Sequence, residues 1–289
     1  MSEVTREAQL GWEARIGRPA AVAAFLSAAL AFASVLIQTA RIGAPDNDRE
    51  TLVLFDEHHG DFFASLGLQV VSYFLLAATL LYLLRATTYR RPETPKFAVG
   101  LLVLAPLLLG VGALLNQLEL NHVADQFVSS EAKGDAVEEV LVELERLAEN
   151  LIDDRNKLGG ALAQGGTLCF ALSFVLVSLN AMRAGLLSRF MGILGVIVGG
   201  LLVIPLLPGT VVQLFWLVAI GVLFLGRWPG GRGPAWETGE AVPWPSAADV
   251  RDRQSREPPG AAHDDEPGPK ASAEMPDRPA SRKRKKKRR

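Results

Sequence analysis

The chain has 289 residues, of which 49% are hydrophobic, and its formal net charge at pH 7 is −1. Its hydrophobic residues are concentrated in runs too long for the helices of an ordinary soluble core, so the composition indicates a membrane protein. The single cysteine, Cys169, excludes an intramolecular disulfide and a cysteine-based metal cluster.

Six apolar runs are long enough to cross a bilayer as helices. A helix rises about 1.5 Å per residue, so roughly 20 apolar residues cross about 30 Å of hydrocarbon. The predicted spans are residues 20–40, 62–84, 97–118, 159–182, 187–207 and 211–225. We therefore predict an all-α fold, a six-helix transmembrane bundle over residues 20–227, preceded by a cytoplasmic segment over residues 1–19.

The basic residues of the short loops predict the orientation of the bundle, because lysine and arginine resist translocation. They lie in alternate connections, at Arg85, Arg90, Arg91 and Lys96, at Arg183 and Arg189, and at Arg227 and Arg232. The acidic loop 41–61 and the acidic segment 120–157 lie in the other connections. The pattern predicts a multi-pass protein of the cell membrane with both termini in the cytoplasm.

The segment 120–157 is a polar interruption between the third and fourth spans. Apolar residues recur in it at steps of three and four, which predicts an extracytoplasmic amphipathic helix over about residues 136–155. Its polar face is acidic, whereas helices that lie on anionic lipid usually have a basic one. We therefore expect this helix to pack on protein, either on the ends of the spans or on a protein partner.

Four outer residues form the candidate metal site, namely His58, His59, His122 and Asp125. Imidazole and carboxylate are suitable ligands for zinc or a similar ion. Adjacent histidines, however, point about 100° apart on a helix, and the sequence has no diagnostic metal-binding spacing. An acidic, solvated loop is the alternative that these observations favour, and no cofactor is predicted.

Several predicted spans contain neutral polar side chains, chiefly Gln69, Asn116, Gln117 and Gln164. No Asp, Glu, Lys or Arg lies in mid-span, which argues against a proton-coupled transporter. These amides either line a path for a small solute or bond neighbouring helices, and the second role is the more common one. The glycines of the fifth span, Gly192, Gly195, Gly199 and Gly200, predict close helix packing.

Residues 228–289 are rich in proline, glycine and charge, which predicts a disordered cytoplasmic tail. Trp228 is predicted to anchor the chain at the membrane surface, whereas Trp236 and Trp244 are interpreted as incidental linker residues. The chain ends in a basic run of Arg282, Lys283, Arg284, Lys285, Lys286, Lys287, Arg288 and Arg289. We expect this run either to bind anionic lipid or to be solvated without a dedicated ligand, and not to bind nucleic acid.

Three stretches near the end of the bundle carry a resemblance to a known group of proteins. They are GLLSRFMGILG over residues 185–195, VQLFW over residues 212–216 and GRWPG over residues 226–230. Over spans four to six the chain resembles uncharacterised bacterial polytopic membrane proteins classed as domains of unknown function. The resemblance implies a membrane fold and transfers no activity.

Two hypotheses for the function follow from the sequence. The first is a structural or interaction protein that contacts a partner through the outer acidic helix. The second is a small-solute transporter or channel with a polar vestibule near the outer face. An enzyme is not favoured, because the sequence has no recognisable arrangement of nucleophile and base and no metal signature.

Overall fold

A computed structural model describes residues 3–43, 47–131, 146, 148–150, 157–204, 209–229 and 231–244. In this part of the chain every regular element is a helix and no strand occurs. The helices are α1 (Glu3–Ile37), continued by a π-helical turn (Gln38–Ile42), α2 (Asp48–Arg90), α3 (Phe97–Glu131), α4 (Leu158–Arg183), α5 (Arg189–Val203), α6 (Gly209–Phe224) and α7 (Pro234–Thr238). The prediction of an all-α fold is confirmed for these residues.

Four of the helical stretches are long and apolar enough to cross a membrane, and they contain the first four predicted spans. They are Thr5–Ile42, Asp48–Arg90, Phe97–Ser129 and Leu158–Arg183. Helices α5 and α6 are apolar but have only 15 and 16 residues. At about 1.5 Å per residue they extend roughly 22 to 24 Å, less than the hydrocarbon thickness. The chain is a helical membrane protein, and the count of six spans stays a prediction.

The first three helices are longer than their apolar runs. Helix α1 begins at Glu3, so most of the predicted N-terminal segment is part of it. Helix α2 begins at Asp48, because the Asn47 side chain caps its first turn by accepting a 2.8 Å hydrogen bond from the Glu50 amide. Its 43 residues correspond to roughly 64 Å. Much of the predicted outer loop 41–61 is therefore helix.

Glycines allow the backbones of α3 and α4 to touch. A Cβ atom added to Gly112 would lie 2.5 Å from the backbone nitrogen of Ala163, and one added to Gly159 would lie 2.6 Å from that of Asn116. Such contacts leave room for hydrogen alone. Close backbone approach of this kind stabilises helix pairs in a membrane, where apolar burial between helices supplies little drive.

Helices α4, α5 and α6 pack through the predicted glycine face of the fifth span. A Cβ atom on Gly192 would meet Met182, and one on Gly199 would lie 2.7 Å from the Ala171 carbonyl oxygen. Gly195 faces α4 as well, whereas Gly200 has open space beside it. The prediction of close glycine packing is therefore confirmed for three of the four glycines.

Helices α1 and α2 are joined by two serines inside the bundle. The Ser27 hydroxyl donates to the Ser72 carbonyl oxygen over 3.0 Å, and the Ser72 hydroxyl donates to the Ser27 carbonyl oxygen over 2.9 Å. Both residues are buried. The exchange satisfies both hydroxyl groups within the helix pair, as apolar surroundings require.

The chain after α6 folds back against the bundle. Helix α7 buries Trp236, whose indole N–H donates a 2.9 Å hydrogen bond to the Leu186 carbonyl oxygen. Trp228 and Trp244 pack partly buried against the same core. The sequence prediction of disorder from residue 228 is therefore wrong for residues 231–244, and so is the interpretation of Trp236 as incidental. The compact unit extends to Trp244, and the predicted basic end at 282–289 lies outside the described residues.

Candidate functional site

Helices α2 and α3 continue past their apolar runs, and the two extensions pack on each other. We call this part, made of residues 47–61, 119–129, 146 and 148–150, the polar projection. Its core is formed by Leu52, Phe55 and Phe127, which are each 0% exposed, together with Val123 and Ala124. The projection therefore has a small core of its own, separate from the core of the bundle.

The connection between α3 and α4 contributes to the polar projection. Ala148 is buried in the core of the projection, while Arg146, Glu149 and Asn150 are exposed. Ala148 thus packs on the extensions of α2 and α3, and the packing predicted for the apolar face of this segment stays a prediction. Most of the predicted helix over residues 136–155 lies outside the described residues.

The surface of the polar projection is acidic. Its exposed carboxylates are Asp48, Asp56, Glu57, Asp125 and Glu149. Asp61 is half-buried and accepts a 2.7 Å hydrogen bond from Arg41, next to the projection. Arg146 is exposed, so carboxylates outnumber cations among the exposed charges.

The predicted metal ligands lie on the projection and have mostly local partners. The His59 Nδ1 atom lies 3.1 Å from the Asp56 carbonyl oxygen, and the His122 Nε2 atom lies 2.8 Å from the Gln126 amide nitrogen. Asp125 accepts a 3.2 Å hydrogen bond from Asn121. Within the described ranges no group of three or more His, Cys, Asp or Glu side chains is placed to hold a metal ion.

His58 occupies a kink in α2. Its backbone angles, φ −119° and ψ 21°, depart from helical values inside an otherwise continuous helix. The His58 Nδ1 atom is buried and has no hydrogen-bond partner among the described residues. The kink is thus where α2 changes direction between the projection and the apolar run.

The four predicted amides lie in different environments. Gln164 is exposed on the outside of α4, and Gln69 is half-buried on α2. Asn116 lies at the contact between α3 and α4, where its backbone meets Gly159. The side-chain nitrogen of Gln117 is buried without a partner in the described part of the chain. Gln164 therefore faces away from the bundle that a solute would have to cross.

An apolar groove of about 540 Å³ lies between α2 and α3. Phe63, Val70 and Phe74 line it from α2, and Pro106 and Gly110 line it from α3. It offers a ligand almost exclusively hydrocarbon contacts. Because lipid tails surround this surface in a membrane, the groove fits acyl chains rather than a polar solute.

The opposite end of the bundle contains a buried ion pair that the sequence did not reveal. The Arg90 guanidinium donates two hydrogen bonds to the Glu13 carboxylate, and the two side chains are 0% and 4% exposed. Arg90 also donates to the Ala235 carbonyl oxygen over 2.7 Å, and Tyr82 donates to the Glu13 carbonyl oxygen over 3.1 Å. These contacts join α1, α2 and α7, which indicates a structural role.

Comparisons with known proteins place the chain by family only. A family model described as a domain of unknown function, DUF4386, matches residues 20–228. This range runs from the apolar part of α1 through α6 to Trp228. It includes the first two stretches that carried the sequence resemblance and the first three residues of the third. Neither the curated proteins nor the solved structures contain a match.

Proposed function

The chain belongs to the DUF4386 family, a domain of unknown function, and we propose that it serves as a membrane-embedded interaction protein. In this proposal the helical bundle holds the polar projection in water at one membrane face. The projection binds a protein partner that has a basic surface. The role is non-catalytic.

The buried core of the polar projection is the observation that carries the proposal. A simple connection between two spans needs only a few residues, yet α2 and α3 extend well past their apolar runs and bury Leu52, Phe55 and Phe127 completely. A rigid surface loses little conformational entropy when it binds, so the core prepares the projection for a partner.

The exposed charges indicate the chemistry of that partner. Asp56 and Glu57 are exposed on α2, and Asp125 is exposed on α3. Clustered charges of one sign steer a partner of the opposite sign and select its orientation. A lysine- or arginine-rich protein surface meets this requirement.

The proposed orientation places the projection outside the cell membrane and both termini in the cytoplasm, with six spans between them. It is supported by Arg85, Arg91 and Lys96, which follow the apolar part of α2 at the end of the bundle away from the projection. Basic residues in short connections favour the cytoplasmic side. The amphipathic helix predicted over residues 136–155 would then also lie outside.

Site-specific photo-crosslinking in the native host tests the proposal. A crosslinker at Asp56 or Asp125 should capture a discrete protein, whereas one at Val111, an exposed apolar residue of α3, should react with lipid. Charge reversal by D56K and E57K together should lower the protein crosslink from Asp125 about tenfold. The reversal E93K, at an exposed carboxylate of the opposite end, is the matched control. A crosslink from Asp125 that charge reversal leaves unchanged would refute the basic-partner proposal.

A small-solute transporter or channel is the alternative function, and the buried, unpartnered amide of Gln117 favours it. The backbone contact between Gly112 and Ala163 weighs against it, because it closes the space between α3 and α4. Liposome uptake across a panel of solutes decides between the interaction protein and the transporter or channel. A transporter predicts flux that Q117L abolishes and that Q164L, on the outer surface, leaves intact. No flux for any solute removes the alternative.

A further inference from the structure

A polar cavity of about 440 Å³ lies at the end of the bundle away from the polar projection. Helix α1 forms one wall through Ala14 and Arg18, and the end of α6 forms the next through Phe224 and Leu225. The third wall is the segment that folds back after α6. It completes the lining with Gly226, Gly231, Arg232 and Glu237.

The cavity has an excess of positive charge. Its lining contains the guanidinium groups of Arg18 and Arg232 and a single carboxylate, that of Glu237. The nearby carboxylate of Glu13 is already paired with Arg90. The two arginines therefore exceed the acidic side chains of the lining by one charge.

Contacts with α6 and α7 hold Arg232 in place in the lining that it shares with Arg18. Its Nε atom donates a 3.3 Å hydrogen bond to the Leu223 carbonyl oxygen, and its guanidinium lies over the Trp236 ring at 5.6 Å from the centroid. One Nη atom lies 3.5 Å from the point that a Cβ atom on Gly17 would occupy. Glycine at position 17 thus admits the guanidinium next to the backbone that carries Arg18. Two cations that line one cavity favour an anion between them.

The cavity also adjoins the apolar surface of the helices. Val22, one turn after Arg18, is 54% exposed, and Leu225 in the lining is 39% exposed. In a membrane such side chains face lipid tails. Trp228 lies half-buried nearby in sequence, and tryptophan is enriched at the headgroup level. An arginine-lined cavity next to an apolar helix face and a tryptophan is the pattern expected at the depth of phospholipid headgroups.

We propose that this cavity binds the headgroup of phosphatidylglycerol. Its phosphate lies between Arg18 and Arg232, its glycerol hydroxyls donate to Glu237, and its acyl chains run along Val22 and Leu225. The single negative charge of this lipid matches the charge excess of the lining. Basic pockets beside membrane helices are a recurrent form of anionic lipid recognition. The site is independent of the partner surface on the projection and of the basic residues 282–289.

Native mass spectrometry of the full-length protein in detergent tests the site. Phosphatidylglycerol should remain bound after phosphatidylcholine has dissociated, and R18Q should weaken the retained binding about tenfold, the effect of losing one charged contact. The matched control is R15Q. Arg15 is exposed one turn earlier in α1, outside the lining, and should change the affinity less than about twofold. Because both variants keep the basic C-terminal run, lipid bound there contributes equally to both.

Two further measurements make the assignment specific. E237Q should reduce the preference for phosphatidylglycerol over phosphatidic acid, which lacks the glycerol headgroup. Inorganic phosphate at millimolar concentration should not displace the lipid if the acyl chains contribute, whereas displacement would identify a free-phosphate site instead and overturn the proposal. Equal binding of phosphatidylglycerol and phosphatidylcholine, or equal losses in R18Q and R15Q, would also overturn it. Circular dichroism of each variant verifies that the bundle is folded.

Discussion

Glu13 and Arg90 form a two-point ion pair between the first turns of α1 and the last turn of α2. Arg90 Nη2 lies 2.9 Å from Glu13 Oε2, and the second nitrogen binds the other carboxylate oxygen. Arg90 also donates to the Ala235 carbonyl oxygen. One side chain thus fixes both the N-terminal extension of α1 and the segment that folds back after α6.

Removing one member of this pair should destabilise the protein strongly. R90M leaves the Glu13 carboxylate buried and unpaired, so the free energy of unfolding should fall by about 3 to 5 kcal/mol. The double variant E13L/R90M removes both charges and should recover much of the loss. Thermal unfolding in detergent measures both. The control E93Q breaks the exposed pair with Arg91 and should cost less than about 1 kcal/mol. Equal effects of R90M and E93Q would contradict the buried-pair account.

The contact between α3 and α4 predicts opposite outcomes for two glycines. G112A places a methyl group 2.5 Å from the Ala163 backbone nitrogen, so the helices must separate, at a cost of about 1 to 3 kcal/mol. Gly160 has no atom within 4 Å of a new Cβ. G160A should therefore be neutral or stabilising by up to about 1 kcal/mol, through helix propensity. Unfolding in detergent compares the two, and a stable G112A protein would show that the helices do not touch.

The apolar runs made the membrane helices predictable, because length and hydrophobicity alone decide whether a helix can cross a bilayer. The glycine face of α5 was predictable for a related reason, since small residues at helical spacing have one common use in membranes. The ends of α2 and α3 were not. Their helical extensions are polar, and they are stabilised by one buried cluster that contains both Phe55 and Phe127, residues too far apart in sequence for a local pattern to connect.

The segment around Trp236 and the outer histidines both show that residue type alone does not specify which residues meet in the folded chain. A tryptophan in a proline- and glycine-rich stretch is typical of a linker. In the folded chain, however, Trp236 donates a hydrogen bond to Leu186 and lies under the Arg90 guanidinium. Conversely, the outer histidines have residue types suited to a metal, but residue type does not specify distance. His59 and His122 instead have backbone and amide partners one helical turn away.

Truncation should separate the folded part of the C-terminal region from the rest. A chain ending at Trp244 keeps α7, and its free energy of unfolding should lie within about 1 kcal/mol of that of the full-length protein. A chain ending at Trp228 loses Trp236 and its hydrogen bond to Leu186, and we expect a loss of about 3 to 5 kcal/mol. Thermal unfolding in detergent compares the three proteins. If both truncations are equally stable, α7 does not contribute to the fold.

Cysteine accessibility in intact cells tests the proposed orientation. C169A provides a cysteine-free background, because Cys169 is the only cysteine. In it, D56C lies on the polar projection and E93C lies between α2 and α3, and both native side chains are exposed. A membrane-impermeant maleimide should label D56C before lysis and E93C only after it, since the bases around position 93 favour the cytoplasmic side. Labelling of E93C in intact cells would invert the topology, and it would place the surface proposed for the protein partner in the cytoplasm.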